Sequence, residues 1–120
     1  MVLRLTPEIL AASYDFLRTT KPFVDWKLPE SDELGFAVTR HGDRFSHMIG
    51  HARSTDAEIA VSEKKVGSTR VLIEVMAHEI LHLRQHLMKT ETPNTQHNAE
   101  FDKLARKVCA IHGFDYKSFV

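Results

Sequence analysis

The sequence predicts an α+β fold, with a small sheet early in the chain and helices grouped around it rather than alternating with its strands. Three observations lead there. A capped helical period opens the chain, three short runs of strand character fill 33–65, and two further helical periods follow, the second stopping at Gly113. Strands gathered together and helices gathered together mark this class. The 120 residues suit one domain, 1–120, which at that size buries roughly two-thirds of the surface its unfolded chain exposes.

Taken in order, Thr6 ahead of Pro7 and Glu8 reads as a helix start: a hydroxyl to cap a free N–H, then proline where its missing N–H costs nothing. Ile9, Leu10, Ser13, Phe16, Leu17 and Thr20 recur at helical spacing and give a helix over 7–20. "KPFVDWKLPESDE", 21–33, has two prolines and no sustained period, so it reads as a surface connection with Trp26 as a packing anchor. Leu34, Phe36 and Val38 then alternate with smaller residues. "RFSHMIGHARS" places Phe45, His47, Ile49 and His51 on one face and Ser46, Met48, Gly50 and Ala52 on the other. "AEIAVSEKK" has Ile59 and Val61 as its apolar centre, and the three runs together predict a three-stranded sheet.

Gly67-Ser68-Thr69 breaks the chain and caps a long helix over about 69–89. "TETPNTQ", 90–96, is turn-rich, and a last helix runs from about 95 to 112 with Gly113 as a left-handed cap. Phe101, Leu104, Val108 and Ile111 form its expected buried face. The tail "FDYKSFV" brings three aromatics back onto the core. Met48, Met76 and Met88 read as core fillers, and Cys109, beside Val108, as a buried thiol.

Composition closes several doors. Apolar residues make up 42% and charged residues 27%, as in soluble globular proteins. Sixteen basic residues balance sixteen acidic ones, so no electrostatic footprint for nucleic acid or an anionic membrane follows. One cysteine allows no internal disulfide and no thiolate zinc finger. "MVLRLTPEIL" is not a signal peptide, and no window approaches the apolar length of a spanning helix. The expected location is therefore the cytoplasm, away from membranes.

Eight histidines are the oddity, and five of them fall between 78 and 112. "HEILH" sets His78 and His82 four apart, on one helix face and one turn apart, so that both imidazoles can aim at one ion. Glu79, about 100° further round, is placed to take a proton from a water on that ion rather than to ligate it. With eight histidines and nine glutamates, a shuffled chain would contain this spacing about 0.03 times, so chance is a poor explanation.

A third ligand is needed. His86 lies eight residues beyond His78, about 12 Å along a helix, too far to share one tetrahedral ion, and reads as a cleft-rim or surface residue. His97 and Glu100 both fall in the first turns of the last helix. His97 precedes Phe101 by four and so shares its buried face, where an imidazole needs a partner that a metal would provide. Glu100 lies off that stripe and reads as a supporting or surface group. His97 is the favoured ligand, against the plainer reading that it caps or packs its helix. Three protein ligands leave one position for water, the signature of catalytic rather than structural zinc, and a three-imidazole set suits zinc best among common ions.

"HEILHLRQHLMKTETPNTQHNAEFDKLARKV" resembles the metalloprotease domain of the SprT-like (Spartan-type) family, in the zincin group. That family has a similar H-E-x-x-H helix, a loop, and a third histidine in an H-G-x-x-F-like segment. His97 and Phe101 match that segment in "HNAEF", with Asn98 in place of the glycine. The resemblance is firmest over about 57–113, while 1–44 fit in general layout only. It implies a minimal zincin-like fold, one zinc ion on His78, His82 and His97, and Glu79 as catalytic base. Members acting on DNA–protein crosslinks add a zinc ribbon or another DNA-binding element. This chain has too few cysteines for a ribbon, so the resemblance carries peptidase chemistry and not DNA binding.

The expected reaction is metal-assisted hydrolysis of a protein or peptide substrate. Zinc acidifies a water, and Glu79 moves its proton to the leaving nitrogen. His112, Tyr116 and Arg84 are candidates to steady the oxyanion, and Glu74, one turn before His78, to orient that imidazole. The resemblance makes the strand at about 45–53 the edge on which an extended peptide would pair, with Gly50, His51 and Ala52 as substrate-binding positions and His47 near the cleft. A plain meander would put that strand in the centre instead. Three other readings compete: a structural or binding protein whose metal clamps two helices, a hydrolase of small amides, and a DNA-associated protease using Lys103, Arg106 and Lys107. Asp102 interleaves the last set, which favours a solvated helix face.

Overall fold

The computed structural model describes residues 4–39, 46–50, 57–63, 66–93, 95 and 97–120, with 46–50 as backbone only. Among the described residues the architecture is α+β, with four α-helices beside a small sheet. Helix α1, Pro7–Arg18, starts as its sequence dictates: the Thr6 hydroxyl accepts from Ile9 N–H and Pro7 occupies the first turn. It stops two residues short of the expected end because the Thr19 and Thr20 hydroxyls fold back onto the carbonyls of Phe16 and Leu17.

The buried stripe of α1 is Leu10, Ser13, Tyr14 and Leu17. Phe16, expected in the core, is 56% exposed, and Tyr14 takes the inward place. Tyr14 is amphipathic: its ring fills the core while its hydroxyl donates to the Pro29 carbonyl at 2.6 Å. Burial pushes that phenol well above its usual range. The stretch 21–33 is more than a surface connection. It makes two 3-10 turns, Phe23–Trp26 and Ser31–Glu33, and buries Phe23 edge-on to Trp26.

Strand β1, Gly35–Thr39, pairs in parallel with β3, Ala57–Ser62, from Gly35 opposite Glu58 to Thr39 opposite Ser62. The backbone of β2, Ser46–Gly50, pairs antiparallel with the other side of β3. The order is β1-β3-β2, so β3 is central and β2 lies at an edge; a meander centred on β2 is thereby excluded. Centrality explains why Ile59, Ala60, Val61 and Ser62 are all buried, instead of alternating. Of the positions marked for substrate, Gly50 ends β2, whereas His51 and Ala52 lie outside the described residues. The side chains of His47 and Met48 also lie outside what is described.

Helix α2, Thr69–Met88, is capped by the Ser68 hydroxyl, which accepts from Val71 N–H, and ends on Lys89 in the left-handed conformation. It packs on α1 and α3 and against the sheet. Met76 is a core residue as expected, but Met88, on the last turn, is 59% exposed. Helix α3, Ala99–His112, starts later than the expected 95, because Asn98 caps it by accepting from Phe101 N–H. It ends at Gly113, whose φ of 78° is left-handed. Its buried line is Phe101, Ala105, Val108 and Cys109, with Leu104 half-buried and Ile111 exposed. The small side chains of Ala105 and Cys109 seat the helix, turning the bulkier Ile111 outward. A short helix α4, Tyr116–Phe119, folds back and buries Phe119. Among the described residues, no helix is long and apolar enough to cross a membrane.

Candidate metal centre

Helix α2 brings the first two imidazoles together by its own pitch. The Nε2 atoms of His78 and His82 lie 3.2 Å apart. Two zinc–nitrogen bonds of about 2.0–2.1 Å at the tetrahedral angle would set their nitrogens about 3.3 Å apart. The donors therefore stand at the spacing one tetrahedral ion requires. His97, from the segment just before α3, joins them: ligand nitrogens of all three residues lie within 4.8 Å of one another. All three donors are imidazoles, a set that zinc favours.

The rings share one support. Phe101, fully buried, lies under the His97 ring at 4.1 Å with an interplanar angle of 2°, and stacks against His82 at 4.6 Å. His78 meets the same phenyl edge-on at 5.2 Å. His78 is steered a second way, since its Nδ1 lies 2.8 Å from the Phe119 carbonyl oxygen. A carbonyl only accepts, so Nδ1 carries the proton and the Nε2 lone pair faces His82. Beside them Glu79, 1% exposed, brings Oε2 to 3.8 Å from His78 Nε2.

A profile of the SprT-like family matches residues 15–118. The chain belongs to that family. A search of curated proteins finds no match to it. The matched span takes in α2 and α3 whole, so every side chain of the imidazole cluster lies within the SprT-like region.

Electrostatics favour ligands that are free of protons. Burial holds His78 down to about 4 and His82 to about 3, with the neighbouring imidazoles adding to the effect and the Phe119 carbonyl opposing it at His78. Burial also lowers His97. All three are thus neutral at physiological pH, the form that offers a lone pair to a cation.

His97 reaches this cluster by a different route from the expected one. It precedes the helix and is exposed, rather than sitting on the buried face of α3. The neighbouring Asn98 is held by a polar network instead. Gln85, 1% exposed, donates from Nε2 to Asn98 Oδ1 at 2.9 Å and to Glu100 Oε1 at 2.8 Å. Asn98 Nδ2 donates to the Thr90 carbonyl and the Thr92 hydroxyl. Glu100 is a supporting group, and hydrogen bonds from Thr90 and Gln85 hold its carboxyl below the usual value.

His86 pairs with Glu91 at 3.1 Å and takes no place among the three imidazoles. Glu74 approaches Arg70 at 3.6 Å, and the Phe119 carbonyl serves the His78 Nδ1 that Glu74 was expected to orient. The oxyanion candidates have their contacts elsewhere. His112 Nε2 meets the Lys21 carbonyl at 2.8 Å, Arg84 lies over Trp26, and Tyr116 lies under Arg106. Cys109 is a free buried thiol whose pKa burial raises. Neither Gln85 nor the Phe119 carbonyl was singled out from sequence. Gln85 carries one available signal, a polar residue three beyond His82 and so on the helix face of the two imidazoles.

Proposed function

We propose that this single SprT-like domain is a zinc-dependent metallopeptidase of zincin-like layout. The observation that carries the reading is the 3.2 Å approach of His78 Nε2 to His82 Nε2, with His97 closing the triangle and the buried Glu79 carboxylate alongside. His78, His82 and His97 would hold one ion. Zinc, when bound, supplies Lewis acidity, which makes a water nucleophile available near neutral pH and polarises the scissile carbonyl.

The chain's own groups do the rest. Glu79 takes a proton from the attacking water and returns it to the leaving nitrogen. Its seat in the core keeps the carboxylate close to His78 and away from bulk solvent. The Phe119 carbonyl keeps the proton of His78 on Nδ1, and Phe101 keeps the rings in register. An extended peptide would pair along the outer backbone edge of β2, near Gly50.

The test is Glu79→Gln, with zinc content and peptide cleavage measured side by side. Zinc content should match the parent while cleavage falls by roughly 10²–10⁴. An equally active Glu79→Gln protein would end this role for the glutamate. Ligands on α2 and just ahead of α3 also suit a metal that merely clamps the two helices together. That reading requires the chain to unfold once its ion is removed.

A further inference from the structure

Of the three imidazoles, His97 is the one that packing does not place. It is exposed, precedes its helix, and rests stacked on Phe101 and His82 and edge-on to His78. A side chain so loosely covered can be held at the site only if its backbone is fixed from behind. The next residue, Asn98, does that. Its Oδ1 accepts from Phe101 N–H and from Gln85, and its Nδ2 donates to Thr90 and Thr92, so all the strong directions of the amide are used.

Gln85 is the hub on the α2 side. It is 1% exposed, and both Nε2 protons leave the helix to reach the segment around His97, one to Asn98 and one to Glu100. It lies one turn beyond His82, so the same helix face carries two imidazoles and the anchor for the third. A buried amide spent in this way connects the two halves of the cluster.

We propose that Gln85 is a positioning residue that, through Asn98, sets His97 for metal binding. The proposal rests on the metal reading above. It differs from a simple α2–α3 tie, because a tie would stabilise the chain equally with or without the His97 ring. Gln85 touches no metal and acts only through the third ligand.

The test measures zinc affinity by competition with a chromogenic chelator, for the full chain, Gln85→Met, His97→Ala and the double variant. Gln85→Met should weaken zinc binding by about 10–100-fold, the range seen when a partner behind a ligand is lost. In the His97→Ala background the same change should have less than about a twofold further effect, since coupled residues are not additive. Unchanged affinity in Gln85→Met, or an equal loss in both backgrounds, overturns the proposal while leaving the zinc site standing. A parent chain that fails to bind zinc removes the metal reading, and this proposal with it. Should Gln85→Met not fold by circular dichroism, Gln85→Glu replaces it, setting a carboxylate against Glu100 and weakening zinc binding. That carboxylate can no longer donate to Asn98 Oδ1 either, so the loss should again be about 10–100-fold in the parent and less than about twofold in the His97→Ala background; an unchanged affinity, or an equal loss in both, overturns the proposal.

Discussion

Removing the third imidazole should separate metal binding from folding. His97→Ala deletes a ring that is exposed and contributes to the core chiefly through its stack on Phe101. Such stacks are worth about 0.5–1.5 kcal/mol, which in a chain of 120 residues lowers the melting temperature by roughly 2–8 °C. Zinc binding should respond far more. A four-ligand structural zinc site provides about 10–16 kcal/mol, or about 2.5–4 kcal/mol per ligand. Losing one ligand of that worth weakens binding by roughly 10²–10³. The assay is chelator competition on the purified chain, paired with thermal unfolding of the metal-free form. Equal zinc affinity in parent and variant would refute the three-imidazole site. A melting point that collapses without metal present would instead show that His97 is a structural residue.

Other outcomes follow from the same geometry. In the metal-free chain His78 and His82 titrate at about 4 and about 3, below the usual 6.5, so beneath pH 6.5 the unfolded chain takes up protons that the folded chain refuses. Stability should be full above about 6.5 and fall by roughly 1 kcal/mol per pH unit for each histidine, down to their folded values, as read by denaturant midpoints across that window. A flat profile would mean that the rings are not buried as described. Phe101→Leu keeps the core filled and should cost the metal-free chain about 1–2 kcal/mol. It removes the flat face beneath His82 and His97, so zinc affinity should fall as well; unchanged affinity would show that the rings need no such support. Phe119→Ala should loosen α4 and the carbonyl that orients His78, weakening zinc binding about 10–100-fold. Val120→Ala, at a half-exposed neighbour, should leave affinity unchanged and serves as its control.

Local signals carried much of the reading. Thr6-Pro7, Ser68 and Gly113 mark helix ends by chemistry that acts within three or four residues, and each does what its type predicts. The four-residue spacing of His78 and His82 needs nothing beyond helical pitch. What the sequence hid was decided at long range. Phe16 and Ile111 look like core residues by hydropathy, but Tyr14 and the small pair Ala105 and Cys109 fit the contacts better. Periodicity places His97 on a helix from 95, whereas Asn98 starts that helix later, through partners as distant as Gln85 and Thr90. The Phe119 carbonyl had no signature at all, because every residue owns a carbonyl and only the fold selects one.

The uneven covering of the three imidazoles has a kinetic consequence. With His78 and His82 half-buried and His97 exposed at the rim, an ion would enter and depart by the His97 side. Its residence time would then be set by how often the His97 ring leaves its stack on Phe101, not by global unfolding. A chelator should strip the site from a chain that stays folded throughout, and cargo exchange becomes a local event.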